Sequence, residues 1–374
     1  MRAWWGAVGI VVGLELRQRT RATRWKVMLA VVFAVVSLVV FGTMWFAMSQ
    51  SHIGSDAYDD WAINLYFIVL GFVGFLGLVI APTMTATAIN GDRKDATLAL
   101  VQATPISAAQ LAVGKLLGAW AASTALLAVS LPYLVWAVVE APYPVLDSIL
   151  GIVVVALLFG CCCGIGLGYS ALTARPVGSS ALTYLTMLFL LGGLPIVVAL
   201  LTPATRDQVT AIRPTWTARS NDSAGCVERA RQVTVEHTER IAWLMAPNPA
   251  VVLADAAAHR DPGVAMWARS VSYTPHDDRP ASPTGLGELA REYSRLRTGP
   301  NPDQNARCVV VDGQTSWSSS TAYDDAYDGK GLHLGDTWYR GLIVDLLIGG
   351  IGVGFAIRRL RVPAARLPRG VRIA

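Results

Sequence analysis

VMLAVVFAVVSLVVFGTMWFAM, from Val27 to Met48, is an uncharged run of more than 20 residues near the start of the chain. A helix needs about 20 consecutive apolar residues to cross the hydrocarbon core of a bilayer. The run lacks the small-residue cleavage pattern of a secretory signal peptide, so we interpret it as a retained anchor. It therefore predicts an integral membrane protein.

The composition of the whole chain agrees with this interpretation. Of the 374 residues, 53% are hydrophobic and only 15% are charged, whereas soluble domains are usually about 25% charged. Most of the net charge of +5 lies beside hydrophobic stretches, where cationic side chains meet anionic lipid headgroups. We therefore expect membrane lipids, and not nucleic acid, as partners of the basic segments.

Five further stretches are long and apolar enough to span a membrane. They are Trp61–Asn90, Leu116–Val139, Ser148–Ala174, Val177–Thr205 and Trp338–Ile357. The last is the weakest of the six, because it contains Arg340 and Asp345. The predicted fold class is an all-α polytopic membrane protein with six transmembrane helices.

The basic residues of the short connecting segments predict the orientation. Sixteen Lys and Arg residues lie before span one, between spans two and three, between spans four and five, and after span six. The loops 49–60 and 140–147 contain none. Short cytoplasmic loops are enriched in Lys and Arg, so both termini are predicted to be cytoplasmic, in a multi-pass protein of the cell (plasma or inner) membrane.

The spans and this orientation divide the chain into segments. They are a cytoplasmic interfacial helix (1–26), spans one to five (27–205) with a cytoplasmic coupling loop (91–110), an extracytoplasmic domain (206–337), span six (338–357) and a basic cytoplasmic tail (358–374). In the first segment, Trp4 and Trp5 suit the headgroup depth of an interfacial helix. A basic anchor that only fixes the topology is the alternative. In the insert, Ile241 to Ala258 is apolar enough for a short amphipathic helix on the membrane surface.

The five cysteines form two groups. Cys226 and Cys308 lie in the extracytoplasmic insert, where an oxidising compartment would allow a disulfide; two unrelated thiols are the alternative. Cys161, Cys162 and Cys163 lie within span four and are interpreted as small hydrophobic residues. Three consecutive helical residues point in different directions, so they are not expected to bind one metal ion.

No catalytic or metal-binding motif is found in the sequence. The insert contains four histidines without H-E-x-x-H or paired-cysteine spacing, so we interpret them as surface residues: His237, His259, His276 and His333. A G-x-x-x-x-G-K-[ST] phosphate loop is also lacking. The chain is therefore expected to have no metal site, no cofactor of its own and no enzymatic activity.

Asp345 is a carboxylate inside a predicted span, where a charge is energetically costly. Such a residue usually faces the bundle interior, water or a partner. It could contact a substrate group or a cation, or take part in proton movement. Alternatively, it makes a structural hydrogen bond to another span, or lies near the outer interface beside Arg340.

The most informative loop reads INGDRKDATLALVQATPISAAQLAVGKLL, from Ile89 to Leu117. Its pattern predicts a charged turn, a short apolar helix (Ala96 to Ala103), a break at Pro105, and a new helix capped by Ser107. Such a short helix between two spans is suited to contact a soluble partner.

This segment resembles the signature of the type-2 permeases of ABC transporters, the drug- and polysaccharide-exporter-like class. The resemblance rests on an acidic residue before a Thr-Leu pair, an Ala-Thr-Pro break and a following Gly-Lys: Asp92, Thr97, Leu98, Ala103, Thr104, Pro105, Gly114 and Lys115. Asp92 and Ala96 depart from the usual Glu and Gly. The basic tail resembles those of bacterial members, which implies the bacterial inner membrane, and Asn248 to Ala256 resembles the segment between spans five and six.

The resemblance implies a permease subunit that exports a lipid-like or amphipathic compound, driven by a separate cytoplasmic ABC ATPase subunit that binds ATP and Mg. It also implies pairing with a second permease copy or a paralogue. The residues that it places in contact with the ATPase are Asp92, Arg93, Lys94, Thr97, Leu98, Thr104, Pro105 and Ile106. The alternative is a membrane receptor or assembly factor on an exporter-like scaffold that binds a ligand or protein through its extracytoplasmic domain.

Overall fold

The computed structural model describes residues 2–50, 56–94, 105–140, 145–217, 225–258, 285–300, 307–311, 314–318 and 334–361. The helices in these ranges are α1 (Arg2–Arg21), α2 (Thr23–Gln50), α3 (Asp56–Ala86), α4 (Asn90–Lys94), α5 (Ala108–Glu140), α6 (Val145–Leu172), α7 (Pro176–Leu188), α8 (Leu194–Leu201), α9 (Pro249–Ala258), α10 (Gly285–Thr298) and α11 (Trp338–Leu360). The strands are β1 (Arg206–Thr217), β2 (Gly225–Glu236), β3 (Arg307–Val311) and β4 (Gln314–Ser318).

Among the described residues, six helical segments are long and apolar enough to cross a membrane. They are Thr23–Ser49, Asn64–Lys94, Ala108–Glu140, Ser148–Leu172, Pro176–Thr205 and Trp338–Leu360. The number and order of the predicted spans are therefore confirmed for this part of the chain. Span six has a mean hydropathy of 1.8 in its most apolar window, the same as span three, so its two charged residues do not set it apart.

The spans pack around α6, which contacts α3, α5, α7 and α11. The largest buried side chains of this core include Leu65, Leu70 and Phe159. We call the end of the bundle that carries α1, α4 and the last turn of α11 the basic end. The insert end is the opposite one, where α8 leads into β1.

Glycine residues bring α6 and α11 into backbone contact, and we call this contact the α6–α11 seam. A Cβ atom on Gly164 would lie 2.6 Å from the carbonyl oxygen of Gly349, and one on Gly168 would lie 2.6 Å from the Cα of Gly352. Small residues allow this close approach of helices within a bilayer, where packing, rather than the hydrophobic effect, holds helices together.

Span five is interrupted by a π-helical turn, Phe189–Gly193, between α7 and α8. Pro195 follows two residues later and has no N–H group to donate to the carbonyl of Leu191 one turn before it. The side chain of Asn248 donates to this Leu191 oxygen instead, at 3.1 Å. The Oδ1 atom of Asn248 also accepts from the backbone N–H of Ala250, at 2.9 Å, at the start of α9. One side chain therefore caps α9 and joins it to span five.

Replacing Asn248 separates these two roles. Asn248→Ser keeps an acceptor that caps α9 but loses the donor to Leu191, so it should cost about 1–3 kcal/mol of unfolding free energy for a carbonyl left unsatisfied. Asn248→Ala loses the cap as well and should cost about 1 kcal/mol more. Thermal unfolding of the two purified variants in detergent measures which is less stable, and a Ser variant as stable as the wild type would contradict the assignment.

Helix α9 packs against the predicted spans. Val252, Leu253 and Ala256 are buried in the same hydrophobic cluster as the spans, and Leu253 packs against Gly74 of α3. Within the predicted helix Ile241 to Ala258, only Pro249–Ala258 is α-helical, and it is buried against the spans. Its location on a membrane surface stays a prediction. The buried Asp255 of α9 accepts hydrogen bonds from the backbone N–H groups of Gly335, at 2.9 Å, and Thr337, at 3.0 Å, which fixes the entry into α11.

The insert also contains two antiparallel hairpins, β1–β2 and β3–β4, and β2 contacts both strands of the second hairpin. Cys226 lies on β2, opposite Trp216, and Cys308 lies on β3, opposite Trp317. The side chains of both cysteines lie outside the described residues, so the disulfide stays a prediction. Of the insert histidines, His259, His276 and His333 also lie outside them, and the Nδ1 atom of His237 lies 2.6 Å from a carboxylate oxygen of Glu239.

Candidate functional site

A buried ion-pair cluster joins three elements at the basic end. The Nζ atom of Lys115 on α5 lies 2.7 Å from an oxygen of Glu15 on α1 and 2.7 Å from an oxygen of Asp92 on α4. Lys115 is only 7% exposed. An ammonium group has three donors, so Lys115 can bind both carboxylates at once. We call Glu15, Asp92 and Lys115 the Lys115 cluster.

Helix α1 packs directly on α5 beside this cluster. A Cβ atom on Gly114 would lie 2.6 Å from the Cβ of Val11, and one on Gly118 would lie 2.8 Å from the Cβ of Glu15. The two glycines are four residues apart and face α1 together, as small residues do where helices approach closely. Helix α1 and span three therefore approach each other closely beside the cluster.

Arg19 connects α1 to span two. Its guanidinium donates to the Sδ atom of Met84, at 2.8 Å, and to the carbonyl oxygen of Met84, at 3.1 Å. It also lies 3.7 Å from Glu15 one turn earlier on α1. Helix α1 is thus tied to the ends of both spans that the coupling loop connects.

A break at the end of α3 sets the direction of α4. The buried hydroxyl of Ser170 on α6 accepts from the backbone N–H groups of Ile89, at 2.9 Å, and Asn90, at 3.2 Å. The side chain of Asn90, which is fully buried, donates to Ser179 at 2.6 Å and to Thr173 at 3.3 Å. These bonds satisfy amides that a helix start leaves free, and they fix α4 on spans four and five so that Asp92 reaches Lys115.

The start of α5 has the predicted cap. The backbone N–H of Gln110 donates to the Ser107 hydroxyl, at 3.3 Å, and the Gln110 side chain accepts from the N–H of Ser107, at 2.7 Å. This reciprocal pair is a capping box. Gln110 also donates to the carbonyl oxygen of Trp4, at 3.5 Å, which adds a further contact between α1 and α5.

The structure places some of the predicted coupling residues and not others. Asp92 belongs to the Lys115 cluster, Arg93 donates to the carbonyl of Ala171 at 3.4 Å, and Lys94 is exposed at the end of α4. Ile106 packs on a small hydrophobic cluster at the basic end, and Pro105 is exposed. Thr97, Leu98 and Thr104, with the predicted helix from Ala96 to Ala103, lie outside the described residues.

Sequence analysis did not identify Glu15 as a site residue, although a signal was present. Glu15 is the only acidic residue before Asp56 and stands among the basic residues that precede span one. A single acid in a basic segment next to a membrane indicates an ion pair. Asn90 carried no signal, since its burial depends on contacts with Ser170 and Ser179 far along the chain.

Asp345 lies on the face of α11 that forms the α6–α11 seam, one turn before Gly349, and is 3% exposed. Its Oδ2 atom makes no hydrogen bond with any described residue. Arg340 is exposed and donates to its neighbour Tyr339 instead. A hydrogen bond from Asp345 to another span is not found within the described ranges, whereas its position near the outer interface stays a prediction.

The described part of the chain holds no group of three or more His, Cys, Asp or Glu side chains that could bind a metal ion. Cys161, Cys162 and Cys163 are buried free thiols, and the Cys163 thiol lies 3.5 Å from the hydroxyl of Ser123. At the basic end, the described residues form an ionic connection between α1, α4 and span three.

Comparison with known proteins identifies the family. A family model described as an ABC-2 family transporter protein matches residues 10–263. This range extends from α1 to beyond α9 and includes all three residues of the Lys115 cluster. The match covers more than half of the 374 residues. A comparison with curated proteins gave no match. With its apolar spans, the chain is a multi-pass membrane protein and an ABC-type permease, and it belongs to the ABC-2 family of transporter proteins.

Proposed function

We propose that this chain is the permease subunit of an ATP-driven exporter, and that a separate cytoplasmic ABC ATPase subunit binds at its basic end. The Lys115 cluster is the observation that carries this proposal. It connects the pre-span helix and the start of the coupling loop, the two segments that the family resemblance places against the ATPase, to the first turns of span three.

Through this cluster, a force that the ATPase exerts on the basic end would move span three. Lys115 is held by two carboxylates from different elements, and α1 lies on the Gly114 and Gly118 surface of α5. Closure of an ATPase pair against α1 and α4 would therefore displace span three as a rigid body. The ATPase would supply ATP and Mg binding, and this chain would supply the path.

The proposed orientation places the basic end in the cytoplasm, which follows from the bias of Lys and Arg. Two permease chains, identical or paralogous, would form the path together. The proposed cargo is a lipid-like or amphipathic compound moved outward. In support, two grooves of about 240 Å³ and about 200 Å³ flank α11 within the spans, and their linings are mainly apolar.

Replacing the coupling loop tests the partner. We expect that a variant with residues 95–104 exchanged for a Gly/Ser segment of equal length no longer co-purifies with a co-expressed ABC ATPase subunit. It keeps Asp92 and Lys115, so its membrane insertion and its thermal stability should be preserved. The control is the same exchange at residues 319–328 in the insert, which should leave the association unchanged. If the loop variant retains the ATPase, the proposed coupling site is wrong.

A further inference from the structure

Asp345 is a buried acidic side chain without a compensating partner. It is 3% exposed, and no cation among the described residues lies within ion-pair distance of it. A carboxylate that is ionised, buried and unpaired inside a bilayer is strongly disfavoured, and such a residue usually binds a proton instead.

The charged and titratable groups on the surrounding elements do not compensate it. Cys161 and Cys162 on α6 are buried free thiols, and thiols supply no positive charge. On α9, Asp255 is occupied by Gly335 and Thr337. On α5, Lys115 is bound by Glu15 and Asp92, and Glu140 accepts from Trp136 at the far end of the helix.

The surroundings of Asp345 also give α11 room to move. The seam next to it consists of backbone contacts at Gly349 and Gly352. If α6 and α11 moved slightly apart, no long side chain at these two positions would fill the gap. Grooves lie on both sides of α11, one lined by Leu346 and Val353 and the other by Ile348 and Phe355. A shift of α11 away from α6 would open the position of Asp345 to water.

We propose that Asp345 is a proton-binding site within span six. Its carboxyl carries a proton while the α6–α11 seam is closed, and it releases that proton to water, becoming a carboxylate, when the seam opens. The conformational equilibrium of this span is therefore linked to pH, with acid favouring the closed seam. This inference depends on the membrane location of α11 and not on the identity of the cargo or the ATPase.

Infrared spectroscopy of the purified protein at neutral pH tests the bound proton. The wild type should show the carbonyl stretching band of a protonated carboxyl group, and Asp345→Asn should lack it, because the amide is close in shape to the neutral acid but has no such band. The control Asp207→Asn, at a residue whose side chain is 49% exposed, should keep the band. A band of equal intensity in wild type and Asp345→Asn would overturn the proposal.

Thiol labelling tests the release. Cys161 lies on the seam and is 4% exposed, so its reaction with N-ethylmaleimide, mapped by mass spectrometry, reports opening. We expect Asp345→Asn to label more slowly than the wild type at alkaline pH and equally fast at acid pH. Loss of the neighbouring carboxylate would by itself ease ionisation of the thiol and speed its labelling, so slower labelling reports the closed seam. A ratio of rates that does not change with pH would show that the proton does not control the seam.

Discussion

Replacing Lys115 with methionine is expected to lower the free energy of unfolding by roughly 3 kcal/mol and to abolish functional association with the ATPase. The loss arises because Glu15 and Asp92 would then lose the cation that lies between them. Arg19, 3.7 Å from Glu15, remains beside only one of the two carboxylates. Removing one partner of a buried ion pair typically costs about 3–5 kcal/mol. We expect the lower end of this energy range, because the side chains of Glu15 and Asp92 are 16% and 32% exposed.

The matched control is Lys26→Met, which removes the same charge from an exposed position at the start of α2 and should change stability by less than about 0.5 kcal/mol.

A second variant tests the mechanism. Glu15→Gln and Asp92→Asn added to Lys115→Met should recover stability, because the repelling charges are gone. A triple variant less stable than Lys115→Met alone would show that the cluster does not act through charge. Thermal unfolding in detergent and co-purification of the ATPase measure both effects.

Replacing Gly349 with leucine should separate spans four and six. A Cβ atom at this position would lie 2.9 Å from the Cα and carbonyl oxygen of Cys161. These are backbone atoms of α6, so they cannot rotate away, and the two helices must move apart. Overpacking of a core costs about 1–3 kcal/mol where side chains adapt, and we expect the upper end of that range here. The measurement is the fraction of protein that remains monodisperse after heating in detergent.

The control for this prediction comes from the next residue. A Cβ atom on Gly350 would have nothing within 4 Å, because this position faces the groove beside α11. Gly350→Leu has the same gain in volume and hydrophobicity and should unfold at nearly the temperature of the wild type. If the two leucine variants are equally stable, the α6–α11 seam does not hold these spans together.

Much of this architecture follows from local sequence. The uncharged runs and their lengths predict the spans, and the start of α5 follows from the capping pattern of Ser107 and Gln110. Family resemblance identified Lys115 as part of a motif. Each of these features depends on residues close together in the chain, where composition and helical spacing are sufficient to determine structure.

The contacts that build the site depend on long-range packing instead. Glu15 and Lys115 are 100 residues apart in the chain, and the charge bias places them on the same side of the membrane without showing that they meet. Helix α9 is short and mainly apolar, and its sequence does not indicate that Leu253 fits against Gly74 of span two. The glycines of α6 and α11 are evident in the sequence. Their pairing, which buries Asp345, is seen only when the two helices are packed in the structure.

Transport in inside-out vesicles tests the central claim most directly. Vesicles that contain this permease with its ATPase subunit should take up a fluorescent amphiphile when ATP and Mg are added outside, and the uptake should be lost with Lys115→Met and kept with Lys26→Met. A complex that forms and hydrolyses ATP but moves none of a panel of lipid-like and amphipathic compounds would contradict the exporter function and favour a receptor or assembly factor.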